Sequence, residues 1–427
     1  MKKLAFCTLF LSIFTFAAFA TESDQLPNNF LNTKHPIHKN NAGGVHGNGK
    51  GNIPTPHGFP VGVDTLVNFT GHFEAQGVLF DGSPHHIWEY SMVGNDPTHG
   101  GTTTFNAPVV PVTMDLRNAD GSPRFVVNQF GVSVPLISKP DPFIQPFLNG
   151  PVYGLSDYTS SPVPTQITDA VQRAEFGNKA RSDWHTLLAA NVKTGRTMVL
   201  NKGTYEFALN SDGTCCLFVL VSDPVFSSKL FPSAAPDNST VIGAAEINGD
   251  IATKDISTFF FPNVFLFENN DPNQCCVLGF HSFDEEAGTA ANGNRLRFYV
   301  LNYSSWISPG LFNGGVEDVT AHSHEIAETF NDPFVGFDNI HNITPFWLNP
   351  AGQCQDLMEV GDVIEDLPNP TFPVTIGGFT YHPQNEALLP WFEFQKNSTA
   401  IDNAYSYPDE TVLTSLSAPQ PLNCAGQ

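Results

Sequence analysis

The residues best suited to chemistry are His324-Glu325-Ile326-Ala327-Glu328, within the stretch 316–330, VEDVTAHSHEIAETF. Its spacing predicts a helix. Residues four apart on a helix share a face, so His324 and Glu328 lie together with Glu325 beside them. One imidazole and two carboxylates then point into the same small volume, as binding of a divalent cation requires. Val316, Val319, Ser323, Ile326, Ala327 and Phe330 fall on a different arc, expected to face the core. Gly314-Gly315 permits the turn into the helix, Glu317 and Asp318 suit its first turn, and Asp332-Pro333 ends it.

This string resembles the zincin metallopeptidase signature, H-E-x-x-H on a helix, in which two His bind the metal and the Glu is the base. Here Glu328 stands at the second ligand position. A carboxylate there makes the site harder and less selective for zinc. The resemblance implies a divalent metal, zinc first, held by His324 and Glu328, with Glu325 activating a water. The gluzincin branch takes a third ligand from a downstream Glu. The segment 354–362, CQDLMEVGD, offers Glu359 for that role, then Asp362, with Asp356 a competitor. Gly361 would let the chain turn close to the site. In the segment 378–392, GFTYHPQNEALLPWF, Tyr381 or His382 could donate to a developing oxyanion, although the same residues also suit a packed aromatic loop.

A wider likeness is to secreted bacterial proteins carrying S-H-E-x-x-E, D-P, E-V-G-D and Y-H-x-Q-x-x-A-x-L-P-W-F. The matching positions are 323–328, 332–333, 359–362 and 381–392, and the string 168–176, TDAVQRAEF, also looks like that group. The pattern H-E-[IL]-A-E alone is similar to the plant extracellular EXORDIUM/phosphate-induced proteins.

The elements that must position these residues read as α+β: a β-rich N-terminal part followed by a zincin-like region with the H-E-x-x-E helix. Residues 1–20 read as a secretory signal peptide. Lys2 and Lys3 precede the apolar run Leu4 to Phe16, and Ala18-Phe19-Ala20 suits cleavage before Thr21. An uncleaved anchor is the alternative, but the run is short for a span and lacks a positive flank after it. Cys7 sits inside the apolar run, not at its end, which argues against a lipoprotein. No later stretch has the length of a membrane helix, so the expected location is secreted or periplasmic. Residues 21–60 read as a flexible leader, whose His35, His38, His46 and His57 suit a solvated tail or weak metal binding.

Residues 61–160 are β-rich, with short runs broken by Gly, Pro and Asp. Residues 161–310 are mixed: a helical stretch over 165–192 with a break at Gly177, then strands such as TYEFAL, CLFVLV, ISTFFFPNVFLF and LRFYVLNYSS. Residues 311–427 carry the metal-site region, the three parts forming one interwoven body. The 427 residues hold 42 Asp and Glu against 19 Lys and Arg, a balance that repels nucleic acid and anionic lipid. Apart from Cys7 there are six cysteines, Cys215, Cys216, Cys275, Cys276, Cys354 and Cys424. In an exported chain these read as disulfides. Adjacent cysteines fit disulfide geometry poorly. The expectation is that the 215/216 pair bonds the 275/276 pair on a neighbouring strand and Cys354 bonds Cys424, a four-thiolate metal cluster being the rival.

These residues point to a metal-dependent hydrolase, a peptidase acting on peptide or protein substrates. The alternative is a non-catalytic surface or wall-associated binding protein whose metal is structural or absent. A merely solvated helix face and a glycosidase-type carboxylate pair are further readings.

Overall fold

The computed structural model describes residues 24–34, 63–75, 87–128, 130–335, 342–417 and 424. It contains both strands and helices. Segments too apolar to leave either face in water become interior strands, and parallel strands need this most. The run ISTFFFP is buried at every position.

Eight strands form the main sheet: β1 (Val63–Asp64), β2 (Thr102–Arg117), β3 (Ile137–Ser138), β4 (His185–Val192), β5 (Arg196–Asn201), β8 (Ile256–Pro262), β11 (Gly279–Glu286) and β12 (Leu296–Trp306). Their order is β1-β12-β8-β2-β3, with β11 on β12 and with β4 and β5 following one another along β2. The β2 pairings with β4, β5 and β8, and the β12 pairings with β8 and β1, are parallel, whereas β11 runs antiparallel to β12. A second sheet orders β6 (Tyr205–Leu209), β7 (Cys215–Ser222), β9 (Val264–Phe267) and β10 (Cys275–Val277) consecutively. The run ISTFFFPNVFLF therefore serves two sheets. Asn263, at φ 52°, makes the corner between them and locks it through two side-chain hydrogen bonds with Ser308.

Among the helices are α1 (Ile167–Phe176), α2 (Val241–Ile247), α3 (Thr320–Asn331) and the single turn α4 (Asp362–Glu365). α1 stops at Gly177, at φ 48°, where the sequence placed a break. Beyond it the expected helix is instead β4. Thr186 and Leu188 are buried while their neighbours are less so, the period of a strand. α3 packs on β11, β12 and α1, and Ile326 and Phe330 share a core with Ala170 and Ala174. It begins at Thr320, not Val316, because Asp318 takes a left-handed φ of 47°. The arc expected to face the core does so. All twelve residues of α3 are nonetheless buried, so its polar face looks into the molecule.

Two expectations are corrected. Cys215–Cys216 and Cys275–Cys276 each close on themselves. The pairs sit on β7 and β10, and β9 runs between these strands, leaving no route for a cross-pair bond. Cys354–Cys424 forms as expected. The start of the leader is also held in place: Leu31 is fully buried and Asp24 pairs with Arg124. The segment 1–20 expected to be a signal peptide and the four leader histidines lie outside the described residues. Core clusters draw side chains from residues 66 to 407, across all three expected parts. Among the described residues, no helix is long and apolar enough to cross a membrane.

Candidate metal centre

The centre is assembled from three directions. α3 supplies His324, Glu325 and Glu328. β11 lies against it and, by alternation, turns His281 and Phe283 toward the helix. The third wall is the turn 359–362 running into α4, with Gln384 and Glu386 behind it.

Glu328 is the hub. Its Oε2 lies 3.0 Å from His324 Nε2 and 3.3 Å from His281 Nδ1. Its Oε1 accepts hydrogen bonds from the backbone N–H groups of Gly361 (3.1 Å) and Asp362 (3.2 Å). His281 Nδ1 also faces Glu325 Oε2 at 3.8 Å, and its Nε2 faces Glu359 Oε2 at 3.7 Å. His324 Nε2 faces Asp362 Oδ1 at 3.6 Å.

Outer contacts orient these side chains. Gln384 Nε2 donates to the Gly361 carbonyl (2.7 Å), which turns its Oε1 to His324 Nδ1 at 3.1 Å. In neutral His324 that contact places the ring proton on Nδ1 and the lone pair on Nε2, toward Glu328 and Asp362. Gln355 Nε2 donates to Asp362 Oδ2 (2.7 Å). Two glycines allow the close approach. A Cβ on Gly361 would fall 2.5 Å from His324 Nδ1, and one on Gly279 would fall 2.6 Å from Glu325 Oε1. Gly361 has an ordinary helical φ of −77°, so its task is clearance more than turning.

Burial and charge shift every group here. For His281, burial favours the neutral ring, but Glu359, Glu325 and Glu328 outweigh it and hold its pKa well above 6.5. His324 is raised likewise, against burial, by Glu328, Glu325 and Asp362. Glu328 is pulled below the usual carboxylate range: burial opposes this, and the two imidazoles prevail. Burial pushes Glu325 up and Asp362 up to about 8. Glu359 and Glu386 are raised well above the usual carboxylate range, chiefly by burial. Glu386 is 1% exposed, neither of its oxygens has a hydrogen-bond partner, and His324 and Glu328 both act on it electrostatically. Glu359 Oε2 also lacks a hydrogen bond.

The structure thus brings His324, Glu325, Glu328, Glu359 and Asp362 into one cluster, with Glu359 joined through His281. Asp356 is partly exposed and belongs to none of the carboxylate–histidine groupings among the described residues. His382 and Tyr381 are engaged elsewhere. His382 Nδ1 lies 2.8 Å from Asp318 Oδ2 and 3.2 Å from Glu317 Oε1, before the start of α3, and the Tyr381 hydroxyl donates to the Pro146 carbonyl. Their segment contributes Gln384 and Glu386 instead.

His281, Asp332, Glu365 and Glu386 escaped the sequence reading. Asp332 groups with His281 and Glu359, and Glu365 with His324 and Asp362. The one available signal for His281 was an imidazole inside the apolar strand CVLGFHSF. His322, also on α3, is a core histidine: its ring packs tilted against Phe147, and burial lowers its pKa to about 3. In comparisons with family models, curated proteins and solved structures, none matches this chain.

Proposed function

We propose that the chain is an exported metal-dependent hydrolase of zincin-like design, acting on peptide or protein substrates. The observation that carries the metal is the chain of His-to-carboxylate contacts in the cluster: His324–Glu328 at 3.0 Å, and four others at 3.3, 3.6, 3.7 and 3.8 Å. The four longer ones are too long for good hydrogen bonds. Ligand atoms bound about 2.0–2.2 Å from one tetrahedral ion stand about 3.3–3.6 Å apart, as His281 Nδ1–Glu328 and His324–Asp362 do. The buried Oε2 of Glu359 and both oxygens of Glu386, which lack a hydrogen bond, fit the same need for positive charge.

His324 and Glu328 are the primary ligands in this reading, with His281 Nδ1 and Asp362 completing the set, while Glu359 faces the other nitrogen of the His281 ring and orients it. A divalent cation held there, zinc being the first to test, supplies Lewis acidity toward a carbonyl and toward water. Glu325, its carboxyl raised by burial, is placed beside the ligands to accept a proton from the attacking water and return it to the leaving amine. A cavity of about 510 Å³, walled in part by Lys34, Val316 and Leu367, reaches Glu365 and so offers an approach to the His324–Asp362–Glu365 side of the centre.

One observation favours the second reading, a binding protein with a structural metal. His281, His324, Glu325, Glu328, Glu359 and Asp362 are each 5% exposed or less, and a catalytic centre keeps an open position. Metal analysis of the purified chain, with hydrolysis of a broad peptide library before and after chelation, separates the two. Chelator-sensitive hydrolysis supports the enzyme. A full metal complement without hydrolysis supports the binding protein with a structural metal, and protein that takes up no metal overturns the enzyme and leaves only the binding protein without one.

A further inference from the structure

β11 carries acid on its other face as well. Phe280 turns away from α3 into the core it shares with Ala245 of α2, and alternation sends Asp284 and Glu286 the same way. There they meet Glu246 of α2. One oxygen from each of the three carboxylates lies within 4.8 Å of the other two. Asp284 is 2% and Glu286 3% exposed. Asp284 Oδ2, Glu286 Oε1 and both oxygens of Glu246 receive no hydrogen bond from any group outside the cluster; Glu246 and Asp284 lie within hydrogen-bond reach of each other. The cation beside them is Arg297, whose NH2 stands 3.7 Å from Glu286 Oε2. Arg297 also donates to the Tyr299 hydroxyl and the Ala287 carbonyl. One guanidinium cannot neutralise three carboxylates, and buried carboxylates left uncompensated are costly.

We propose that Glu246, Asp284 and Glu286 form a second divalent-cation site, on the opposite face of the strand that supplies His281. The donors are all carboxylate oxygen, with no imidazole or thiolate, which selects a hard ion of the calcium class over zinc. Glu246 is partly exposed, so the site opens to solvent on the α2 side, where water completes the coordination. The site is independent of the hydrolase reading. It shares a strand with that centre and none of its ligands.

The test uses the full chain stripped of metal and titrated with calcium alone, reading bound equivalents by equilibrium dialysis and the melting temperature. Wild type should bind one more equivalent than Glu246→Gln and melt several degrees higher with calcium. That rise should vanish in Glu246→Gln and Asp284→Asn and persist in His324→Ala. Glu246→Gln lies at a partly exposed helix position and carries the test if Asp284→Asn fails to fold. A folded Glu246→Gln protein that binds as many equivalents as wild type overturns the proposal. So does a wild-type melting temperature indifferent to calcium, which would mean the carboxylates are held by shared protons.

Discussion

His281 Nδ1 lies 3.3 Å from Glu328 Oε2, joining a strand of the main sheet to a helix whose own His324 holds the same oxygen at 3.0 Å. One carboxylate oxygen between two imidazoles is what a bound cation would replace with its own charge. The arrangement makes His281 a candidate ligand that the H-E-x-x-E string does not contain.

His281→Ala should therefore lose metal as fully as His324→Ala does. It leaves Glu328 and Glu359 without their shared partner, and removing one member of a buried charged pair costs about 3–5 kcal/mol. Metal content and chemical denaturation of the metal-free protein check both halves. A variant that retains full metal would remove His281 from the ligand set.

How much of the centre is legible in the sequence depends on the range of each signal. The face shared by His324 and Glu328 is local, set by helical spacing, and was legible. So was the acidic turn 359–362, through its downstream place in the resemblance. His281 was not, because its role depends on β11 lying against α3, a register that no local period encodes. The same blindness hid the vicinal disulfides: the strand between the two cysteine pairs is a fact of topology. The helical reading of the stretch after Gly177 misled because a short apolar run serves a strand equally well.

The metal-free protein should lose stability as pH rises from about 4 to 8. Asp362, raised to about 8 chiefly by burial, binds its proton more tightly folded than unfolded, so its contribution fades as pH climbs toward that value. His281 and His324 are raised above 6.5 by their carboxylates, against burial, and their contribution is full below the unfolded pKa and is lost as pH rises. Glu328, pulled down by the imidazoles against burial, acts oppositely, and only at acid pH. Metal binding needs deprotonated ligands, so added metal should stabilise more at pH 8 than at pH 5. Melting curves across that range, with and without zinc, read the sign. A metal-free protein that grows more stable toward pH 8 would show that these groups do not govern its stability.

Gly361→Ala should disturb the centre without touching a ligand. The new methyl would fall 2.5 Å from His324 Nδ1, where the Gln384 contact sits, so the ring or the turn has to move. Such overpacking costs about 1–3 kcal/mol. Because the φ of −77° suits alanine, the whole cost is steric. Metal affinity should fall, and Gly352→Ala, which has open space around its Cβ but a positive φ, separates backbone strain from clearance. Equal metal affinity in wild type and Gly361→Ala would show that the turn yields freely.

The enzyme and the binding protein part most clearly at Glu325. If Glu325 is the base, Glu325→Gln should abolish hydrolysis, about a hundredfold or more for loss of general base catalysis, while metal content stays near normal. Glu328→Ala should lose the metal itself, because it removes the oxygen between the two imidazoles, and activity would fall with it. In a binding protein, Glu325→Gln leaves metal content near normal and has no hydrolysis to abolish, its effect being confined to the charge that Glu325 presents to His281 and His324. The pair of variants, each assayed for metal, melting temperature and peptide hydrolysis, assigns the roles independently. A metal-replete Glu325→Gln protein hydrolysing at the wild-type rate would exclude Glu325 as the base, whatever the substrate proves to be.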